Sequence, residues 1–153
     1  MKAVTYSEYA PDDNYAKILK VQDIDDPKPK ADEVVFEVKS AALNYNDIWG
    51  MRGQPVPVPL PHVSGSDAAG DVIAVGEDVK NIKVGDRVVS HSNMSCRVCK
   101  ACTDGREFDC TKRTIWGFQT GPNWGAFQEV THLPEVNIAK IPEGVSYDEA
   151  AAA

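Results

Sequence analysis

The chain has 153 residues, of which 42% are apolar, and a formal net charge of -7 at pH 7. This length allows one domain with a substantial core. No apolar run approaches the roughly 18 residues of a membrane helix, and the N-terminus lacks the apolar segment of a secretory signal. The acidic charge argues against nucleic-acid binding through a broad basic surface. We therefore expect a cytoplasmic globular protein whose thiols stay reduced.

Five segments have the composition of short β-strands. They are rich in β-branched residues and are bounded by Gly, Pro, Asn and Asp. The predicted strands are residues 34–43, 69–76, 86–92, 126–133 and 137–142. Their spacing favours a barrel or sandwich over alternating βαβ units. The predicted fold class is therefore mainly β with short helices.

Two short helices and one extended loop complete the prediction. Residues 46–51 are predicted to form a short helix. Residues 54–61 contain four prolines, which fix φ and lack an N–H donor, so this stretch is predicted to be an extended surface loop. Ser146 and Glu149 have the spacing of a capping box, and four alanines follow. A second helix is therefore expected to begin at Ser146.

The cysteines follow the pattern C-x2-C-x2-C-x7-C within one polar loop. They are Cys96, Cys99, Cys102 and Cys110. Four thiolates can close a tetrahedral zinc site with no open position, which makes the site structural rather than catalytic. Two disulfides and an iron–sulfur cluster are the alternatives, and a reducing compartment weighs against the disulfides. Structural zinc is the preferred prediction, in a lobe of about residues 93–113.

Several motifs, taken together and in order, resemble the N-terminal half of the medium-chain dehydrogenase/reductase superfamily, which includes the zinc-type alcohol dehydrogenases. The cysteine spacing is similar to that of their structural-zinc lobe. AALNYNDIWGMRG (41–53) resembles the segment that carries a catalytic-zinc cysteine. GSDAAGDVIAVGEDVKNIKVGDRV (65–88) resembles the GHExxGxVxxVGxxVxxxxxGDxV motif. WGAFQEV (124–130) resembles the GGxAEY strand, and IPEGVSYDEAAAA (141–153) resembles the start of the interdomain helix.

This resemblance implies a GroES-like, partly open β-barrel in residues 1–145 as the catalytic domain, followed from residue 146 by the start of the interdomain helix. Full-length members continue into a Rossmann domain that binds NAD(P)H. The sequence contains no G-x-G-x-x-G motif after a strand, so the cofactor domain is absent from these residues. We expect a catalytic-domain fragment that is inactive alone, from a protein that is a homo-oligomer when full length.

The sequence departs from the zinc alcohol dehydrogenases at the catalytic metal. Asn44 and Ser66 stand where those enzymes carry a cysteine and a histidine ligand, and neither is a good zinc ligand. Asp47 and Asp67 occupy the positions of the family's acidic residues near that metal. The histidines do not lie where the motif requires one and are interpreted as surface or core residues: His62, His91 and His132. One structural zinc and no catalytic zinc are therefore predicted.

Zinc-free members of the superfamily reduce activated double bonds, which need hydride delivery and enolate stabilisation. LNYN (43–46), HVSGSDAAG (62–70) and TIWGFQT (114–120) resemble the crotonyl-CoA carboxylase/reductase and acrylyl-CoA reductase branch. This resemblance implies NADPH-dependent reduction of a short-chain enoyl-CoA, with an acyl-CoA thioester as the substrate. The candidate catalytic residues are Asn44, Asn46, Ser66, Phe118 and Gln119.

The candidate catalytic residues are expected to have different roles. Asn44 is expected to donate its amide to the thioester or enolate oxygen, with a turn residue as the alternative. Phe118 has equal claims as a site residue and as packing. Gln119 stands where carboxylating members have a glutamate, and an amide cannot carry that charge, so plain reduction is favoured over carboxylation. The alternative functions are a zinc alcohol dehydrogenase or quinone reductase domain, and a non-catalytic zinc-stabilised binding module.

Overall fold

The computed structural model describes residues 1–122 and 124–153. Within them the chain forms nine short or medium strands and four helices. The strands are β1 (Lys2–Thr5), β2 (Lys20–Asp23), β3 (Glu33–Ala42), β4 (Asp67–Val75), β5 (Arg87–Ser90), β6 (Asn93–Met94), β7 (Thr114–Ile115), β8 (Val130–Pro134) and β9 (Ile138–Lys140). The helices are α1 (Tyr15–Ile18), α2 (Tyr45–Arg52), α3 (Lys100–Thr103) and α4 (Tyr147–Ala151). Single 3-10 turns lie at Glu107–Asp109 and Glu135–Asn137. None of the described helices is long and apolar enough to cross a membrane.

The main sheet has five antiparallel strands in the order β8-β3-β4-β5-β9. The β3–β4 ladder shifts register twice, between Val35 and Phe36 and between Val38 and Ser40. Such bulges bend a strand pair and increase its twist. The β1–β2 pair continues this wall through an isolated bridge between Ala3 and Gln128, just before β8. The result is a curled, partly open sheet, which confirms the predicted mainly β fold.

The interior contains two principal apolar clusters. The larger fills the curl of the sheet: Val34, Phe36, Ala68, Val72, Ile82, Val88, Trp116, Ala126 and Leu133. The smaller lies beneath α2: Tyr6, Ala10, Ile18, Met51, Val58 and Phe118. Because Trp116 belongs to the first cluster and Phe118 to the second, residues 116–118 connect them. This connection places the segment next to the strands that carry the candidate site.

The predicted elements are mostly confirmed, with two corrections. The strand predicted at 126–133 begins only at Val130. Before it, the N–H groups of Ala126 and Phe127 donate to the carbonyls of Gly65 and Ser64, and the contact with β1 is limited to the isolated bridge at Gln128. The proline-rich stretch 54–61 is a loop, but it is not all surface. Val58 is buried and its carbonyl accepts a hydrogen bond from Tyr9 at 2.8 Å.

The helix announced by the capping box is confirmed as α4. Ser146 Oγ accepts from the N–H of Glu149 at 3.2 Å, and the Glu149 carboxylate accepts from the N–H of Ser146 at 2.8 Å. The Tyr147 hydroxyl donates to Asp71 at 2.5 Å, while the Arg87 guanidinium lies over the Tyr147 ring at 4.4 Å. Contacts to β4 and β5 therefore hold this helix against the sheet.

Candidate active-site cleft and metal centre

The first candidate residue, Asn44, is the N-cap of α2 and has extended backbone angles of φ -123° and ψ 160°. Its backbone N–H donates to Asp47 Oδ2 at 2.8 Å, which satisfies one of the free donors at the helix N-terminus. Its side-chain amide donates to Asp67 Oδ2. Asn44 itself is exposed, so two carboxyls hold a residue whose side chain stays accessible.

Asp47 and Asp67 are the acidic members of the site. Asp47 is only 4% exposed, and its second oxygen accepts from the Gly65 N–H at 3.0 Å. Burial raises the pKa of Asp47, the hydrogen bonds from the Asn44 and Gly65 N–H groups oppose that rise, and the nearby Asp67 adds to it. Burial also raises the pKa of Asp67, with the Asn44 amide opposing.

Asn46 and Ser66 form a second contact between the start of α2 and the segment just before β4. Asn46 Nδ2 donates to Ser66 Oγ at 2.8 Å, and Asn46 Oδ1 is buried without a partner among the described residues. Ser66 is only 2% exposed. Ser90 supports it from β5, because its Oγ accepts from the Ala68 N–H at 2.9 Å and donates to the Ser66 carbonyl at 3.4 Å. Ser66 is therefore a buried support for Asn46 rather than an exposed lining residue.

Phe118 and Gln119 lie in packing and turn positions. Phe118 is 6% exposed and belongs to the cluster beneath α2. Gln119 closes a turn on Ile115, because its Oε1 accepts from the Ile115 N–H at 3.0 Å and its own N–H donates to the Ile115 carbonyl at 2.8 Å. These contacts explain both side chains structurally, and their contact with a substrate stays a prediction.

The turn that carries Phe118 is pressed against the loop that carries Ser66. Gly117 has a φ of +72°, and a Cβ placed on it would lie 1.8 Å from the Gly65 carbonyl oxygen. Only glycine permits both this backbone conformation and this approach. His62, which is fully buried, adds a contact from Nε2 to the Gly117 carbonyl at 3.0 Å and one from Nδ1 to the Pro59 carbonyl at 3.1 Å.

The other two histidines also match their interpretation. His91 is exposed on the surface. His132 is mostly enclosed between Trp124, on which it stacks at 5.3 Å, and Glu33, whose carboxylate lies 3.1 Å from Nδ1. Burial lowers the pKa of His132, while the charge and hydrogen bond of Glu33 oppose that fall.

A largely apolar cavity of about 430 Å³ opens beside Asn44. Asn44, Asp47 and Ser64 supply its polar wall. The remaining lining is apolar or aromatic: Val4, Tyr6, Leu19, Leu43, Tyr45, Ile48, Met51 and Phe127. Leu43 is 84% exposed and Tyr45 is 61% exposed, so two large side chains stand at the rim. An apolar cavity with a few convergent polar groups is typical of a small-molecule site.

The four cysteine sulfurs meet in one place, all within 4.8 Å of one another. The Cys96 and Cys102 sulfurs are 3.9 Å apart, and those of Cys99 and Cys102 are 3.5 Å apart. A tetrahedral zinc with Zn–S bonds of about 2.3 Å requires sulfur separations of about 3.8 Å. A disulfide would need about 2.05 Å, and all four cysteines are free. The donor set and its spacing therefore fit a single thiolate-bound metal ion.

Backbone groups of the lobe favour the thiolate form of one ligand, Cys96. The N–H groups of Val98 and Cys99 direct their hydrogens at the Cys96 sulfur and lower the pKa of that thiol to about 6. The lobe is attached to the barrel through Arg97, which pairs with Glu107 and donates to the Val136 carbonyl at 3.4 Å. The lobe thus contains a thiol shifted toward its thiolate form, and Arg97 attaches the lobe to the barrel.

The Alcohol dehydrogenase GroES-like domain family matches residues 30–143 of this chain. The chain belongs to this family. Among relatives, a crotonyl-CoA carboxylase/reductase from Cereibacter sphaeroides is 35% identical over 139 residues, covering 87% of this chain and 32% of the relative. An acryloyl-coenzyme A reductase from Sulfurisphaera tokodaii is 32% identical over 125 residues, covering 82% of this chain and 36% of the relative.

A solved structure of an NAD-dependent alcohol dehydrogenase superposes with a TM-score of 0.90 at 37% identity, covering all of this chain and 43% of that chain. The chain thus spans about a third of the length of the two curated relatives and less than half of this solved structure. These similarities confirm the GroES-like prediction and the likeness to the enoyl-CoA reductase branch.

Within this GroES-like domain, sequence reasoning identified the amide and hydroxyl residues but missed two features. It gave no role to the rim residues Leu19 and Leu43, which line the cavity. For Leu43, the sequence did offer an indication, because this leucine lies directly before Asn44 at the end of a predicted strand. It also left open what Asp47 does, because the contact with the Gly65 N–H depends on two segments far apart in sequence.

Proposed function

We propose that this chain is the catalytic domain of an NADPH-dependent oxidoreductase that reduces a short-chain enoyl-CoA of the crotonyl or acrylyl type. The observation that carries the proposal is the cluster of Asn44, Asn46 and Ser66 beside an apolar cavity. By the resemblance stated above, Asn44 and Ser66 stand in the places of the catalytic-zinc ligands. The similarity to a crotonyl-CoA carboxylase/reductase and an acryloyl-coenzyme A reductase supports the substrate class.

The reduction requires stabilisation of a negative charge on the thioester oxygen. NADPH, bound by a further domain in full-length relatives, supplies a hydride to the β-carbon. An amide nitrogen carries two hydrogens. One N–H of Asn44 is taken by Asp67, so the other is available to the substrate oxygen, at which the enolate charge develops. The enolate then takes a proton at the α-carbon, which gives the saturated acyl-CoA.

Gln119 bears on the fate of that enolate. Its Oε1 accepts from the Ile115 N–H, and its amide carries no charge at any pH. We therefore propose protonation rather than carboxylation as the main outcome. The exposed apolar rim at Leu43 and Tyr45 is proposed to contact the acyl chain.

The four cysteines are proposed to hold one structural zinc. Thiolate ligands at all four positions leave no site for water or substrate, so this metal would stabilise the lobe and take no part in the reaction. The sulfur separations support this assignment.

The test uses the full-length gene product. NADPH oxidation is followed with crotonyl-CoA and acrylyl-CoA, with and without bicarbonate, and the product is identified by mass. We expect saturated acyl-CoA, little changed by bicarbonate, and a fall of about 10² to 10³ in kcat for Asn44→Ala, because an oxyanion donor is lost. Asn81→Ala, an exposed amide in another loop, is the control.

Other results would assign a different function. A carboxylated product would show that Gln119 permits CO2 capture. Oxidation of alcohols or reduction of quinones, without activity on either thioester, would favour a dehydrogenase like the solved structure described above. An inactive full-length protein that holds zinc would favour a binding module.

A further inference from the structure

Three side-chain contacts cross a single gap in the site. They join residues 44–47, at the start of α2, to residues 65–67, at the start of β4. Asn44 contacts Asp67, Asn46 contacts Ser66 at 2.8 Å, and Asp47 contacts the Gly65 N–H at 3.0 Å. The two segments are about 20 residues apart in sequence. The β3–β4 ladder ends at the pair Ala42 and Asp67, and beyond that pair these contacts join the two segments.

Asp47 differs from the other members of this group in what it binds. Each of its oxygens accepts one backbone N–H, and the two N–H groups come from opposite sides of the gap. Backbone contacts fix the position of a main chain, whereas Asn44 and Asn46 join side chain to side chain. Asp47 is also buried, so water does not compete for its oxygens.

Substituting Asp47 would disturb its neighbours in a defined way. An asparagine at this position offers one oxygen and one NH2 group, so in the orientation of the aspartate its oxygen accepts from only one of the two N–H groups. The other N–H would then face a donor in a buried place, which costs free energy and drives the two segments apart. Asn44 and Asn46 would lose their alignment with Asp67 and Ser66, although the Asp47 carboxylate itself binds the Asn44 and Gly65 backbone N–H groups rather than these side-chain amides.

We propose that Asp47 is a positioning residue that sets the distance between the start of α2 and the start of β4, and so aims the Asn44 amide into the cleft. This inference rests on the proposed function for its consequence in catalysis. Its structural part, the alignment of Asn44 and Asn46, stands on the contacts alone.

The test compares Asp47→Asn and Asp47→Glu with Glu149→Gln. The control is matched, because Glu149 holds the same capping position in α4, far along the chain from the cleft. In 15N-labelled protein, we expect Asp47→Asn to shift the side-chain NH2 signals of Asn44 and Asn46 together with the Gly65 N–H signal. Glu149→Gln should leave all three in place. Unchanged Asn44 and Asn46 signals in Asp47→Asn would overturn the proposal.

Kinetics on the full-length protein supply the second measurement. We expect kcat to fall about 10- to 100-fold in Asp47→Asn with KM changed less than about 3-fold, because positioning acts on the reacting oxygen. Asp47→Glu keeps two acceptors and should recover part of the loss. An unchanged kcat in Asp47→Asn would overturn the catalytic consequence. Because the NMR measurement needs no substrate, its result separates this proposal from the proposed function.

If the Asp47→Asn protein does not fold, hydrogen exchange in the unmodified protein tests whether Asp47 bridges the two segments. The Asn44 and Gly65 N–H groups are expected to exchange slowly and to lose protection together. Rapid exchange at either group would show that Asp47 does not bridge the gap.

Discussion

Replacing Phe118 with alanine tests whether this side chain packs the core or serves the cleft. Phe118 is 6% exposed, in contact with the cluster that includes Tyr6, Met51 and Val58. Truncating a buried phenylalanine to alanine costs about 3–5 kcal/mol, from lost transfer energy and the cavity left behind. For a protein of this size each kcal/mol lowers Tm by about 2–4 °C, so we expect a fall of about 8–16 °C for a loss near 4 kcal/mol.

The assay is thermal unfolding followed by circular dichroism, with urea unfolding as a second measure of the free energy of unfolding. Phe108→Ala is the matched control, because Phe108 is 64% exposed and its loss should cost less than about 0.5 kcal/mol. A loss below about 1 kcal/mol in Phe118→Ala, together with reduced turnover of the full-length protein, would refute the packing argument. That result would assign Phe118 a role in the cleft instead of in core packing.

Three further predictions concern the lobe, the buried Glu33 and the last helix. Cys102→Ser should abolish binding of one zinc per chain, measured by elemental analysis, and lower Tm. Burial raises the pKa of Glu33, but the hydrogen bonds from Lys30 and the charges of His132 and Lys30 together bring it below its usual value. Ionised Glu33 therefore stabilises the fold above its unfolded-state pKa, and this stabilisation is lost as pH falls. Glu33→Gln should cost about 1–3 kcal/mol at pH 7 in urea unfolding and far less near pH 3. Ser146→Ala should cost about 1 kcal/mol, and a loss below about 0.3 kcal/mol would contradict the observed cap.

The longer strands could be predicted because their local pattern and their final environment agree. Val34 and Val35 in β3 and Val72 in β4 are buried, in segments whose sequence is rich in β-branched residues. In contrast, β2 was missed because all four of its residues are exposed, so it has no apolar periodicity. It exists because β1 offers a partner, and that pairing spans residues far apart in sequence.

The site was predictable in composition but not in arrangement. Asn44 and Ser66 became candidates because they stand where the resemblance expects metal ligands, and Asn46 because it belongs to the LNYN motif. Burial does not follow from sequence, and the candidate catalytic residue Ser66 is only 2% exposed. The role of Gln119 as an acceptor for the Ile115 N–H was equally hidden, because a glutamine four residues away from its partner has many other possible contacts.

The proposed chemistry sets a condition that the carboxyls of the site must meet. A negative charge developing on a substrate oxygen beside Asn44 would be opposed by ionised carboxylates a few ångströms away, because like charges repel strongly where water is scarce. The oxygens of Asp47 each accept a backbone N–H, which offsets part of its charge. Burial raises the pKa of Asp67, and the Asn44 amide opposes that rise. Two acids therefore hold Asn44 in place, and for Asp47 two backbone N–H groups offset part of the charge that the enolate would meet.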